Sequence, residues 1–136
     1  MTLFNIFNIS GSGMNVQSKR INLNATNIAN IDTYTIKNKI PYPYVAKQFS
    51  LKFDNKKNAF IGGVKIDKIL SDPTPLKVIY NPNSPMSDKN GYTKISNVNV
   101  ISEVIDSIAS ARNYQANIEV INTVKQLLIK TLSIGQ

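Results

Sequence analysis

The 136-residue chain is 42% hydrophobic and 18% charged, enough for one domain with a modest core rather than two. It contains neither Cys nor His, which excludes disulfide scaffolds, thiol nucleophiles, Ser-His-Asp relays and the usual zinc ligands. Sixteen Lys and Arg against eight Asp and Glu give a net charge of +8, yet the basic residues are scattered and never exceed two in a row, so no face is marked for nucleic acid. Asn and Ile together exceed about a quarter of the chain, and with Lys they are the residues that drift toward AT-rich codons enriches.

Residues 3 to about 32 carry no Pro and read as a helix. Phe7, Met14, Ile21 and Ile28 recur every seven residues, with Phe4, Gly11, Ser18 and Ala25 as the partner column three residues earlier. That is an a/d heptad stripe whose second column is small enough for another backbone to come close. Gly11 and Gly13 each cost about 1 kcal/mol of helix propensity relative to Ala, a loss consistent with close packing or with a segment that is not permanently helical. Asn24 reads as compositional, whereas Asn27 and Asn30 bracket Ile28-Ala29 just before the helix gives way, where amides can hold a helix end against a second segment. The first basic residue is Lys19, and Asn5, Asn8 and Ser10 interrupt the early apolar stretch, so no cleavable signal peptide is expected. No run approaches the ~20 apolar residues that a bilayer span requires.

Residues 33 to about 97 hold all six Pro residues and read as short strands. Val45, Phe49, Leu51 and Phe53 alternate with polar positions and are expected to face inward. Gly62-Gly63 is expected as a turn before Val64, Ile66 and Ile69-Leu70. A third apolar piece, Leu76 to Tyr80, precedes Asn81-Pro82-Asn83-Ser84-Pro85, which cannot be helix interior, and Asn90-Gly91 is a turn signal.

Residues 98 to 134 are again Pro-free, with Asn97 or Asn99 as N-cap, Glu103 and Asp106 in the early turns, and Lys125, Lys130 and the stop Gly135 late. The early stripe is Ile101, Val104, Ile108, Ala111 and Ile118; Tyr114, Ile121, Leu128 and Leu132 follow on one side and Val120, Leu127 and Ile134 on another. A helix apolar on more than one side needs more than one neighbour. The expected class is therefore α+β: two long terminal α-helices forming a coiled-coil-like pair (residues 1–33 and 98–136), with a small β-rich domain at 34–97 between them.

Glu103 with Asp106, and Asp67 with Asp72, are the nearest approach to catalytic carboxylate pairs, and each reads as helix-start charge or solvated loop. Gly62-Gly63 lacks the Lys-Ser/Thr of a phosphate loop, and the acids between Asp54 and Asp88 lack calcium-loop spacing. No catalytic residue, cofactor or metal site is expected, and a basic nucleic-acid-binding module remains the alternative class.

Asn27-Ile28-Ala29-Asn30-Ile31-Asp32-Thr33 resembles the N-terminal signature of the flagellar axial proteins of rod, hook and hook-associated type. Leu3-Phe4-Asn5-Ile6-Phe7, Gln17-Ser18-Lys19-Arg20, Arg112-Asn113-Tyr114-Gln115-Ala116-Asn117, Asn122-Thr123-Val124-Lys125 and the ending Lys130–Gln136 narrow the likeness to the basal-body rod branch. The stretch from Tyr80-Asn81-Pro82 to Pro85, then Asn90-Gly91-Tyr92 and Asn97-Val98-Asn99-Val100, is similar too. Ser96 stands where that pattern usually has Pro, and Thr93 where it has Val. The resemblance implies a structural subunit of the proximal rod, with another axial subunit of the same family as the nearest alternative, exported by the flagellar type III apparatus without a cleaved signal, its termini forming an inner helical layer. Implied partners are other copies of the chain and other rod proteins (FlgB, FlgF, FlgG, FliE), with no nucleic acid and no membrane insertion. Subunit packing would fall to Phe4, Phe7, Gly11, Met14, Ile21, Ala25 and Ile28 in the first helix, and to Ile108, Ala111, Ile118, Ile121, Leu128 and Leu132 in the last. Asn27, Asn30, Arg112, Tyr114 and Asn117 would add polar and aromatic fastening.

The apolar surface that one such pair of helices can bury does not by itself offset the backbone entropy of ordering them. One such helix pair is marginal alone. In dilute monomer, amide exchange over residues 3–30 should therefore be fast; strong protection there would contradict this expectation.

Overall fold

The two Pro-free ends become the two helices. In the computed structural model, which describes residues 3–37, 40–56 and 60–134, α1 spans Leu3–Ala29 and α2 spans Val100–Ile134, about 40 and 52 Å at 1.5 Å per residue. Between them lie β1 (Tyr34–Lys37), β2 (Ile40–Pro43), β3 (Lys47–Lys56), β4 (Phe60–Ser71), β5 (Lys77–Tyr80) and β6 (Tyr92–Ile95). Asn99 is the N-cap of α2: its Oδ1 accepts from the Ile101 N–H at 3.1 Å and the Ser102 N–H at 3.5 Å. Asn97 is instead buried, accepting from Ala46 N–H at 2.8 Å and donating to Thr74 O at 2.9 Å. Gly135 lies outside the described residues.

The strands form three separate antiparallel pairs, β1–β2, β3–β4 and β5–β6, rather than one sheet. The reason is local. Tyr44 N–H donates to Thr33 O at 2.9 Å, and bonded pairs alternate along an antiparallel ladder. With Tyr34 opposite Pro43 and Ile36 opposite Pro41, both prolines occupy the positions whose N–H would point away from β1. The outer edge of β2 therefore has no donors there. β2 touches β6, and the Tyr34 hydroxyl bridges the gap, donating to Lys94 O at 3.1 Å. β5–β6 closes through Asn81 N–H donating to Gly91 O at 2.9 Å, with the Tyr80 and Tyr92 rings edge to face at 5.4 Å.

Gly62-Gly63 is not a turn. Both glycines lie inside β4, at φ 114° and 117°, where the strand runs against α1. A Cβ would stand 3.0 Å from Ile9 Cδ1 at the first and 3.0 Å from Ser12 Oγ at the second. The space is used: Ser12 Oγ donates to Ile9 O at 2.7 Å and accepts from Val64 N–H at 3.2 Å. The β3–β4 register shifts at Ser50/Leu51 and at Phe53/Asn55, twisting the two-stranded ribbon. Val45 and Phe49 are half-buried, whereas Leu51 and Phe53, expected inward, stay 40% and 56% exposed; a ribbon two strands wide cannot lay its whole apolar face on one helix.

The helices pair antiparallel, Gly13 beside Asn117 and Asn24 beside Glu103. On α2 the covered positions are Glu103, Ser107, Ser110, Tyr114, Asn117, Ile121, Val124 and Leu128, alternating steps of four and three that keep them on one face of the helix. The seam is thus polar and small for half its length. The expected apolar stripe is turned outward: Ile101, Val104, Ile108 and Ile118 are exposed. Gly11 has nothing within 4 Å of a built Cβ, and Gly13 is the glycine of close approach. Among the described residues the buried hydrophobics are Val16, Ala46, Val98 and Val124, outnumbered by the buried polar Ser10, Asn24, Asn27, Thr93, Ser96, Asn97 and Ser110.

Thr93 Oγ1 is buried without a hydrogen-bond partner among the described residues. Thr93→Val keeps the shape and removes the stranded hydroxyl, so it should stabilise the fold by about 1 kcal/mol, read as a rise in Tm on thermal unfolding.

Candidate functional site

A polar junction ties the two helices to the strands. Asn27, 1% exposed, sits where α1, the β2–β3 connection and α2 meet. Its Nδ2 donates to Lys47 O at 3.0 Å and to Glu103 Oε1 at 3.1 Å. Its Oδ1 accepts from Lys47 N–H and from the Tyr44 hydroxyl, both at 3.0 Å. All four bonding sites of one amide are filled. One turn earlier, the Asn24 amide satisfies both ends when its nitrogen donates to Arg20 O and Glu103 Oε2 and its oxygen accepts from Ser107 N–H, each at 3.2 Å. Two amides on α1 thereby clasp one carboxylate on α2.

A cleft of about 360 Å³ lies over this junction, lined by Arg20, Leu23, Asn24, Lys47, Gln48, Phe49, Glu103 and Asp106. Partial burial pushes the Glu103 carboxyl above the usual range, the Asp106 and Asp72 charges add to that, and the Asn27 bond partly offsets it. Burial and the Glu103 charge raise the Tyr44 hydroxyl. Asp72 is held low by the Thr74 hydroxyl and N–H, which donate at 2.6 and 2.8 Å. The described residues contain no cluster of acids arranged to hold a metal ion.

The sequence-chosen packing residues fall into three groups. Phe7, Met14, Ile21 and Ile28 line a half-buried column on α1, beside exposed Gly11 and Ala25; the Phe4 side chain lies outside the described residues. Ile108, Ile118 and Leu132 are 52%, 37% and 74% exposed, and Arg112 is also exposed. Tyr114, Asn117, Ile121 and Leu128 lie on the seam toward α1, with Ala111 half-buried beside it. Asn117 donates to Asn113 O at 2.9 Å, and Asn30 donates to Thr26 O at 2.8 Å while its Oδ1 accepts from the Thr33 hydroxyl. Asn24 and Glu103, read as compositional and as a helix-start charge, are central to the junction. Their one sequence signal was the three-residue spacing that puts Asn24 and Asn27 on the same helix face.

Residues 89–134 match the family model described as flagellar basal body rod FlgEFG protein C-terminal. The chain is 52% identical to the flagellar basal-body rod protein FlgC of Buchnera aphidicola subsp. Baizongia pistaciae (strain Bp), 52% to that of Buchnera aphidicola subsp. Acyrthosiphon pisum (strain APS) and 44% to that of Salmonella typhimurium (strain LT2), each match covering 100% of both chains. The chain belongs to the FlgC family of flagellar basal-body rod proteins. It is a structural subunit of the flagellar basal-body rod, assembling with other basal-body components, and nothing favours the nucleic-acid alternative. No helix among the described residues is long and apolar enough to cross a membrane.

Two outcomes follow from the junction. Asn27→Ala strands the Tyr44 hydroxyl, the Lys47 N–H and Glu103 together, and should lower unfolding free energy by about 3 kcal/mol or more in urea titration. Because the folded Glu103 pKa is raised, the native state binds more protons than the unfolded chain just above the ordinary carboxylate range. This group's contribution to stability should therefore fall as pH rises from that range through the raised value. Glu103→Gln should abolish that slope in urea titrations at successive pH values.

Proposed function

We propose that this subunit builds the proximal rod, its terminal helices (residues 1–33 and 98–136) forming an inner coiled-coil layer of an open helical tube and residues 34–97 an outer β-rich layer. The tube serves motility and export, and the protein performs no catalysis. The reading rests on one observation: the described chain buries four apolar residues while leaving Ile101 73%, Ile105 59%, Ile108 52%, Leu127 50%, Ile129 57%, Leu132 74% and Ile134 84% exposed along α2. A monomer rarely leaves so continuous an apolar surface unless a partner covers it. Both flanks of α2 carry it, so one neighbour is not enough, and repeated head-to-tail contacts extend into a helical array rather than a closed ring.

In this arrangement Ile108, Arg112, Ile118 and Leu132 contact neighbours, as do the Phe7, Met14, Ile21 and Ile28 column and the small positions Gly11 and Ala25. Asn27, Asn30, Ala111, Tyr114, Asn117, Ile121 and Leu128 hold the pair in the shape that presents them. The neighbours are further copies and the rod proteins FlgB, FlgF, FlgG and FliE. The type III apparatus delivers the chain, a route suited to a fold with so little core to undo.

Ile108→Asp alters an exposed position and should leave export intact while abolishing incorporation into basal bodies, as read by immunoblots of secreted and basal-body fractions. Normal incorporation would refute the assignment of this face.

A further inference from the structure

The strand pairs leave outer edges that are not alike. β2 carries Pro41 and Pro43 where its outward donors would stand. β6 faces β2, and its Lys94 carbonyl is taken by Tyr34. β3 and β4 are broken by two register shifts and carry Lys52, Lys65 and Lys68, the devices that keep edges from pairing. Two edges in the described residues keep their outward donors and acceptors uninterrupted by proline or register shift, each with one lysine at its end: β1, ending at Lys37, and β5, starting at Lys77, at opposite ends of the layer ordered β1–β2 then β6–β5.

β5 is exposed at all four positions, with Val78 57%, Ile79 43% and Tyr80 67% exposed. Its ladder phase follows from the Asn81–Gly91 bond: Ile79 opposite Thr93 is a bonded pair, so Val78 and Tyr80 turn their N–H and C=O outward. On β1 the same alternation turns Tyr34 and Ile36 outward, and Ile36 is 82% exposed. Each four-residue edge thus offers two donors and two acceptors beside apolar side chains.

We propose that β5 of one copy pairs edge to edge with β1 of the next copy, joining the β-layers of adjacent rod subunits. The inference rests on the rod reading, because only head-to-tail repetition sets one end of this layer against the other; β5 meeting β5 would close a dimer. Main-chain bonds give such an added strand its affinity and neighbouring side chains its register. A pair of four-residue strands is too short to hold copies alone, so it supplements the helical contacts and fixes the angle between copies.

Val78→Pro deletes one outward donor and leaves the β5–β6 ladder intact, whereas Val78→Thr keeps the donor. Incorporation into basal bodies should fall about fivefold or more for the proline variant through loss of one hydrogen bond per contact, with unchanged circular dichroism and Tm of the purified chain, while the threonine variant incorporates normally. Equal incorporation of the two overturns the proposal. The chain has no Cys, so in assembled basal bodies an Ile36→Cys, Val78→Cys double variant should oxidise to a ladder of dimers, trimers and longer species. Assembled bodies without cross-links, or dimers from Val78→Cys alone, overturn it as well. Failure of the rod reading shows separately, as normal incorporation of Ile108→Asp.

Discussion

One amide organises this molecule. Asn27 binds the β2–β3 connection on both sides of Lys47, the hydroxyl of Tyr44 and the carboxylate of Glu103, so a single buried side chain sets where α1, the strands and α2 stand relative to one another. A buried amide is tolerable only with every bonding site filled, and here the geometry admits one arrangement of three segments. An apolar side chain at that place could pack in several ways, and the fold would lose its definition before it lost its cohesion.

Spending the interior on polar bonds leaves the apolar side chains for the outside. The helix seam is built from Ser, Asn, Gly and Glu over half its length, while Ile, Leu and Val project from the other faces of α2. This inversion is reasonable for a structural subunit: directional bonds hold each copy in shape, and the apolar side chains remain on its surface. The rod-family membership and the outward apolar faces thus describe one design from two sides.

Much of the architecture was legible in the residues. Pro-free ends and a Pro-rich middle gave two helices around short strands, and Asn90-Gly91 marked its turn. The inner face of the helices was not legible, because hydrophobic periodicity identifies what will be buried somewhere without saying by whom. In this chain the early α2 stripe of Ile101, Val104, Ile108 and Ile118 is the outward one while Phe7, Met14, Ile21 and Ile28 are half-buried, and the polar part of the inward column is read only once Asn24, Asn27 and Glu103 are seen bonded together. Gly62-Gly63 misled for a similar reason: paired glycines announce unusual backbone, and the close approach of α1 that demands it is a long-range fact. Pro41 and Pro43 said "strand edge" locally, but which edge depends on a ladder phase set by Thr33 and Tyr44.

The unequal helices have a directional consequence. With Gly13 beside Asn117 and Asn24 beside Glu103, the start of α1 falls short of the end of α2, and the turns around Leu132 and Ile134 run on about 10 Å past it at 1.5 Å per residue. The molecule has a greasy peg at one tip and no equal at the other. A difference in length between two helices thus makes the two tips of the molecule chemically unlike, one apolar and overhanging, the other flush.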